Sequence, residues 1–101
     1  MVDVRITPLE ENVFGVEVEE GGLRTGHRIA VPRGFLDDLL LEPDDAAEVA
    51  YETVDFLLDR EPATALPGEF SVYDVSRDHD DYTSELIVRL GRGGPPGEPA
   101  P

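Results

Sequence analysis

The 101-residue chain carries 23 acidic residues against eight arginines and no lysine, a formal charge of -15. Charge of that sign disfavours DNA, RNA and anionic membranes as partners, favours basic protein surfaces or cations, and makes the compact state repel itself, so that salt should help it fold. A chain of this length buries one modest core, and without cysteine it has no disulfide, thiolate metal site or thiol nucleophile.

The N-terminal third alternates with the period of half-buried strands. Val2, Val4 and Ile6 alternate with Asp3, Arg5 and Thr7, and Pro8 is expected to open a polar turn running to Asn12. Gly21 and Gly22 suit a two-residue type I′ turn, which needs positive φ at both central positions. That turn sets Val18 opposite Thr25, Val16 opposite His27 and Phe14 opposite Ile29 on one face. On the other face it pairs Glu19 with Arg24 and puts Glu17 within diagonal reach of Arg28. Hydrophobic pattern and charge thus select the same register independently.

Pro32 ends the third strand, and Phe35, Leu36, Leu39 and Leu40 recur at helical spacing in a short helix at about 34–41, closed by Pro43. The main helix is expected over about 45–60, with Asp45 and Glu48 as a capping box and Pro62 as its stop. At about 100° per residue, Asp45, Glu48, Glu52, Asp55 and Asp59 gather on one narrow arc with no cation among them, and apolar residues cover most of the remainder. Such a wide apolar surface exceeds what a three-stranded sheet requires, leaving area for the C-terminal segment or for a second subunit.

Residues 70–90 admit two descriptions. Phe70, Val72, Tyr73 and Val75 suit a strand paired with residues 86–90, and Val72, Val75 and His79 equally suit a helical stripe. The last eleven residues, eight of them glycine or proline, are expected to form a disordered tail. The expected architecture is a single α+β domain over residues 1–90, a three-stranded antiparallel meander packed on one main helix.

The segment FLLDREPATALPGEFSVYDVSRDHDDYTSEL, residues 56–86, resembles a family of short prokaryotic proteins in which a helix ending FLLEREP leads into a segment like FDLSVISRYFPEYEREI. Phe56, Leu57, Leu58, Arg60, Glu61, Pro62, Leu66, Phe70, Val72, Val75, Ser76, Arg77, Tyr82 and Glu85 fall at matching places, over about a third of the chain. The resemblance implies a shared fold and a helix after Phe70. The family has no established activity, so it implies no catalytic role. Where the family has two aromatics and a proline, this chain has Asp78, His79 and Asp80.

Three features are candidate sites. The acidic face formed by Glu48, Glu52, Asp55 and Asp59 could dock an arginine- or lysine-rich protein, electrostatics chiefly speeding the encounter. Asp78, His79 and Asp80 could hold a divalent cation, although their spacing matches no EF-hand, zinc or facial-triad pattern. His27, flanked by apolar neighbours, reads as a hydrogen-bonded core residue, since no Ser, Asp or Glu at a diagnostic spacing completes a catalytic set. Residues 1–7 lack the apolar run of a signal peptide and nothing later approaches a membrane span, so a cytoplasmic location is expected. The function expected is a non-catalytic protein–protein interaction module, free of cofactors and able to form a homodimer. The alternatives are a metal-binding or hydrolytic protein, or an acid-surfaced housekeeping protein without a specific partner.

Overall fold

The structure is a computed structural model that describes residues 2–92. Strands β1 (Val2–Glu10), β2 (Val13–Glu20) and β3 (Leu23–Ala30) form an antiparallel meander. Then follow helix α1 (Arg33–Asp38), a 3-10 turn at Pro43–Asp45, α2 (Ala46–Leu58), a second 3-10 turn at Ala63–Ala65, β4 (Glu69–Ser71), α3 (Val72–Asp78) and α4 (Tyr82–Arg92). Sheet order is β1-β2-β3-β4, with β4 parallel to β3.

The hairpin has the expected register, Val18 opposite Thr25, Val16 opposite His27 and Phe14 opposite Ile29. Gly21 and Gly22 both hold positive φ, +59° and +85°, as a type I′ turn demands. Arg24 lies 3.9 Å from Glu17 and 3.8 Å from Glu19, and Arg28 bonds Glu10 at 2.8 Å across the sheet instead of reaching Glu17. The side chain of Arg28 meets Glu10 because β1 is longer than expected: it continues through Pro8, with a bulge between Pro8 and Glu10, and turns only at Glu11 and Asn12. Asn12, at φ +63°, ties that turn to the end of β3, donating from Nδ2 to the Val31 carbonyl at 3.0 Å and accepting the Val31 N–H at 2.8 Å.

Inward residues Phe14, Val16, Val18 and Ile29 meet Val49, Ala50, Val54 and Phe56 of α2 in one buried cluster. The helices differ from expectation at their ends. Pro43 opens a 3-10 turn ahead of α2, and Asp45 turns back to accept the Glu42 N–H at 2.9 Å, so the Asp45–Glu48 capping box does not form. Helix α1 stops at Asp38, where Leu40 takes the left-handed conformation at φ +59°. The Leu41 N–H then bonds the Leu36 carbonyl and the Leu40 N–H that of Asp37, the hydrogen-bond pattern of a Schellman motif.

Residues 70–90 are chiefly helical: only Glu69–Ser71 form a strand, which pairs with β3 and not with residues 86–90, while Val72, Tyr73 and Val75 lie in α3 and residues 86–90 in α4. Ser71 caps α3, accepting the Tyr73 N–H, while Asp74 accepts the Ser71 N–H in return. Helix α4 packs on α2, so the C-terminal segment covers much of its wide apolar arc. Tyr82 of α4 is fully buried, stacked on Phe35 and edge-on to Phe56, with ring centroids 6.0 and 5.3 Å away. Its hydroxyl lies 2.6 Å from Thr53 Oγ1, which itself donates to the Val49 carbonyl, so Tyr82 is the donor. Burial pushes the Tyr82 phenol well above its ordinary pKa and keeps that proton in place. Gly91 and Arg92 of the expected tail complete α4, and residues 93–101 lie outside the described residues.

Candidate functional site: the acidic face of α2

The acidic arc on α2 exists, but a cation reaches it from α4. Tyr82, Leu86 and half-buried Leu90 of α4 face the core, and this places Arg89 over the carboxylates of α2. Arg89 Nη1 is 2.5 Å from Asp55 Oδ2 and 4.0 Å from Glu52, Nη2 is 2.6 Å from Asp59 Oδ2, and Nε is 3.6 Å from Glu85 one turn earlier. The Arg89 side chain is only 11% exposed. Burial works against its charge, but the hydrogen bond to Asp59 and the negative charge of Asp55 and Asp59 outweigh that and raise its pKa, so it stays protonated. Asp55 and Asp59, both held by Arg89, remain 49% and 57% exposed. Glu48, one turn nearer the start of α2, is exposed and outside this cluster.

At the other end of α2, Arg60 stacks on the Phe56 ring, 3.7 Å from its centroid, and bonds Asp81 at 2.7 Å. That contact uses Asp81, which follows Asp78, His79 and Asp80 in the chain, to anchor the start of α4. The structure does not assemble Asp78, His79 and Asp80 into a metal centre: among the described residues no group of three or more His, Asp or Glu could hold a metal ion. The helical spacing ends there, since α3 stops at Asp78 and His79 takes extended backbone angles. His79 sits edge-on to Phe56, with centroids 5.5 Å apart. Asp78 and His79 instead border a cleft of about 200 Å³ over Leu66 and Phe70, opposite Glu61 and Asp74. Asp74 is held below the ordinary carboxylate pKa, first by the Ser71 N–H and then by Arg77.

His27 is a structural residue. It is buried, with Nδ1 donating to the Pro67 carbonyl at 2.7 Å and Nε2 2.8 Å from the Thr25 hydroxyl, so it ties β3 to the loop before β4. Sequence reasoning placed it on the correct face but had no means of finding Pro67, 40 residues away. Arg89 was missed for the same reason. Its only local signal was Glu85 four residues before it, which fits a helix pair but says nothing about α2.

Comparison of the chain with known protein families, with curated proteins and with solved structures finds no significant match.

Proposed function

We propose that the protein is a small non-catalytic, cytoplasmic interaction module whose α2 face, Glu48, Glu52, Asp55 and Asp59, docks a basic segment of another protein. The observation that carries this reading is that Arg89 holds Asp55 and Asp59 on this face while both stay half exposed. A solvated acidic surface needs only exposed carboxylates, whereas here a buried guanidinium holds Asp55 and Asp59 in fixed positions while leaving about half of each side chain open to a partner. Side chains held in advance lose less entropy on binding, and like charges concentrated on one face speed the encounter with an opposite one. The engagement of His27 and His79 in structural contacts supports a non-catalytic role. Among the described residues no helix is long and apolar enough to cross a membrane.

The test is a titration with a synthetic arginine-rich peptide, followed residue by residue by NMR at low and at moderate salt. Shifts should concentrate on α2 and weaken in Glu48→Arg, which reverses one charge of the face while Arg89, Asp55 and Asp59 stay in place. Equal shifts at all exposed carboxylates, unchanged by Glu48→Arg, would mean that the peptide sees net charge alone and would refute the proposal.

A further inference from the structure

Among the described residues no strand lies beside the outer edge of β1, and the direction of its backbone groups follows from the hairpin. In a two-residue hairpin the residues flanking the turn exchange both backbone hydrogen bonds, so Glu20 and Leu23 face each other and the direction alternates along each strand. That alternation sends the Arg28 N–H away from β2, and it is found bonded to the Gly68 carbonyl at the β4 side, 2.8 Å away. Carried across β2 by the pairs Asp3–Glu19 and Arg5–Glu17, it turns Asp3, Arg5 and Thr7 toward β2. The N–H and C=O groups of Val2, Val4 and Ile6 therefore point to the open edge. So does Pro8, which has no N–H to offer, and the bulge beyond it bends the strand away. Open pairing capacity is confined to residues 2–6.

We propose that this window is a self-recognition edge, where a second copy of the chain adds antiparallel with Val4 opposite Val4, joining the two sheets into one. Backbone direction, charge and apolar pattern select that partner and that register. Val2, Val4 and Ile6 would be hydrogen-bonded pairs, Val2 facing Ile6 of the second copy, and Pro8 falls outside the pairing. Asp3 of each copy would face Arg5 of the other on the outer surface, and among the described residues neither has an ion-pair partner within its own chain. Sliding two residues one way sets Arg5 against Arg5 and Val2 against Pro8, and sliding the other way sets Asp3 against Asp3, so charge disfavours both. A one-residue slip would put the apolar face of one copy on the outer face of the other. Val2 is 41% exposed and Val4 and Ile6 are half-buried, so the added strand also covers apolar surface at the rim of the core.

The two copies each carry -15, so association depends on salt: screening at high ionic strength reduces the long-range repulsion while the short Asp3–Arg5 contacts survive it better. This proposal is independent of the basic partner of α2 and involves the opposite layer of the fold.

Analytical ultracentrifugation of the full chain over a wide concentration range, at low salt and at about 1 M salt, tests it. The wild type should show a reversible monomer–dimer equilibrium that moves toward dimer as salt rises. Val4→Pro removes an N–H that no partner uses among the described residues, and should raise the dissociation constant about 30-fold through the two lost Val4–Val4 hydrogen bonds. Asp3→Arg should also weaken the dimer, and the exchange Asp3→Arg with Arg5→Asp should restore it. Circular dichroism checks the fold of each variant; if Val4→Pro is unfolded, the charge-exchange set decides. A wild type monomeric under every condition, a dimer indifferent to Val4→Pro, or an exchange variant no better than Asp3→Arg alone would overturn the proposal.

Discussion

Replacing Arg89 by glutamine removes the guanidinium held against Glu52, Asp55, Asp59 and Glu85 while keeping much of the buried stem. Two short charge-assisted hydrogen bonds are lost. Each is discounted to about 1 kcal/mol because Asp55 and Asp59 are half exposed. Asp55 and Asp59, at i, i+4, then repel each other without the guanidinium between them, adding a few tenths of a kcal/mol. The total is about 2–3 kcal/mol, a large share of the roughly 5–15 kcal/mol that holds a domain folded, and for a chain near 100 residues it lowers the thermal midpoint by about 10–20 °C. Thermal unfolding followed by circular dichroism at low and at high salt measures it, with the repulsive part recovering as salt rises. Arg77→Gln is the control. Its pair with Asp74 is a surface i, i+3 contact with Arg77 72% exposed, worth under about 1 kcal/mol. If Arg89→Gln cost no more than Arg77→Gln, or its loss ignored salt, the assignment of Arg89 as the cation joining α2 and α4 would be wrong.

Three further outcomes are expected. Leu40→Gly should stabilise the protein by about 0.5–1 kcal/mol in denaturant unfolding, because Leu40 is 92% exposed, makes no core contact and strains its backbone at φ +59°. His27→Ala should destabilise by about 1–3 kcal/mol in the same assay, since the Pro67 carbonyl loses its donor and β3 its tie to the loop before β4. The Asp74 carboxyl should titrate below the ordinary carboxylate range by carbon-detected NMR. Its folded pKa is depressed, so its contribution to α3 is fully present above the ordinary carboxylate pKa of about 3.9 and is lost as pH falls through the lower folded value.

Much of the fold was legible because its information is local. Gly21-Gly22, the alternation on either side and the Glu19–Arg24 pair all lie within a dozen residues, and each demands the same register. Pro8 misled because proline usually marks a turn; it is tolerated here since its missing N–H points to the open edge and removes no bond of the β1–β2 ladder. The ambiguity over residues 70–90 was physical. A three-residue strand carries too little pattern to declare itself, and β4 is defined by its pairing with β3, where Phe70 lies beside Ile29. The candidate site divided in the same way. Helical periodicity alone gathered Glu48, Glu52, Asp55 and Asp59 on one face, but the run Asp78, His79, Asp80 was adjacent only along the chain, and its helical spacing ended with α3 at Asp78.

The sequence by itself determined the charge, the class of element in each well-patterned segment, the hairpin register and the face of α2 that stays out of the core. These depend on periodicity and on neighbours a few residues apart, where backbone geometry leaves few choices. Only the tertiary structure decided that Arg89 would sit among the α2 carboxylates, that His27 would hold Pro67 and that Tyr82 would donate to Thr53. Those partners lie between 29 and 40 residues apart, and what brings them together is the packing of α4 and the β4 loop against surfaces formed elsewhere in the chain.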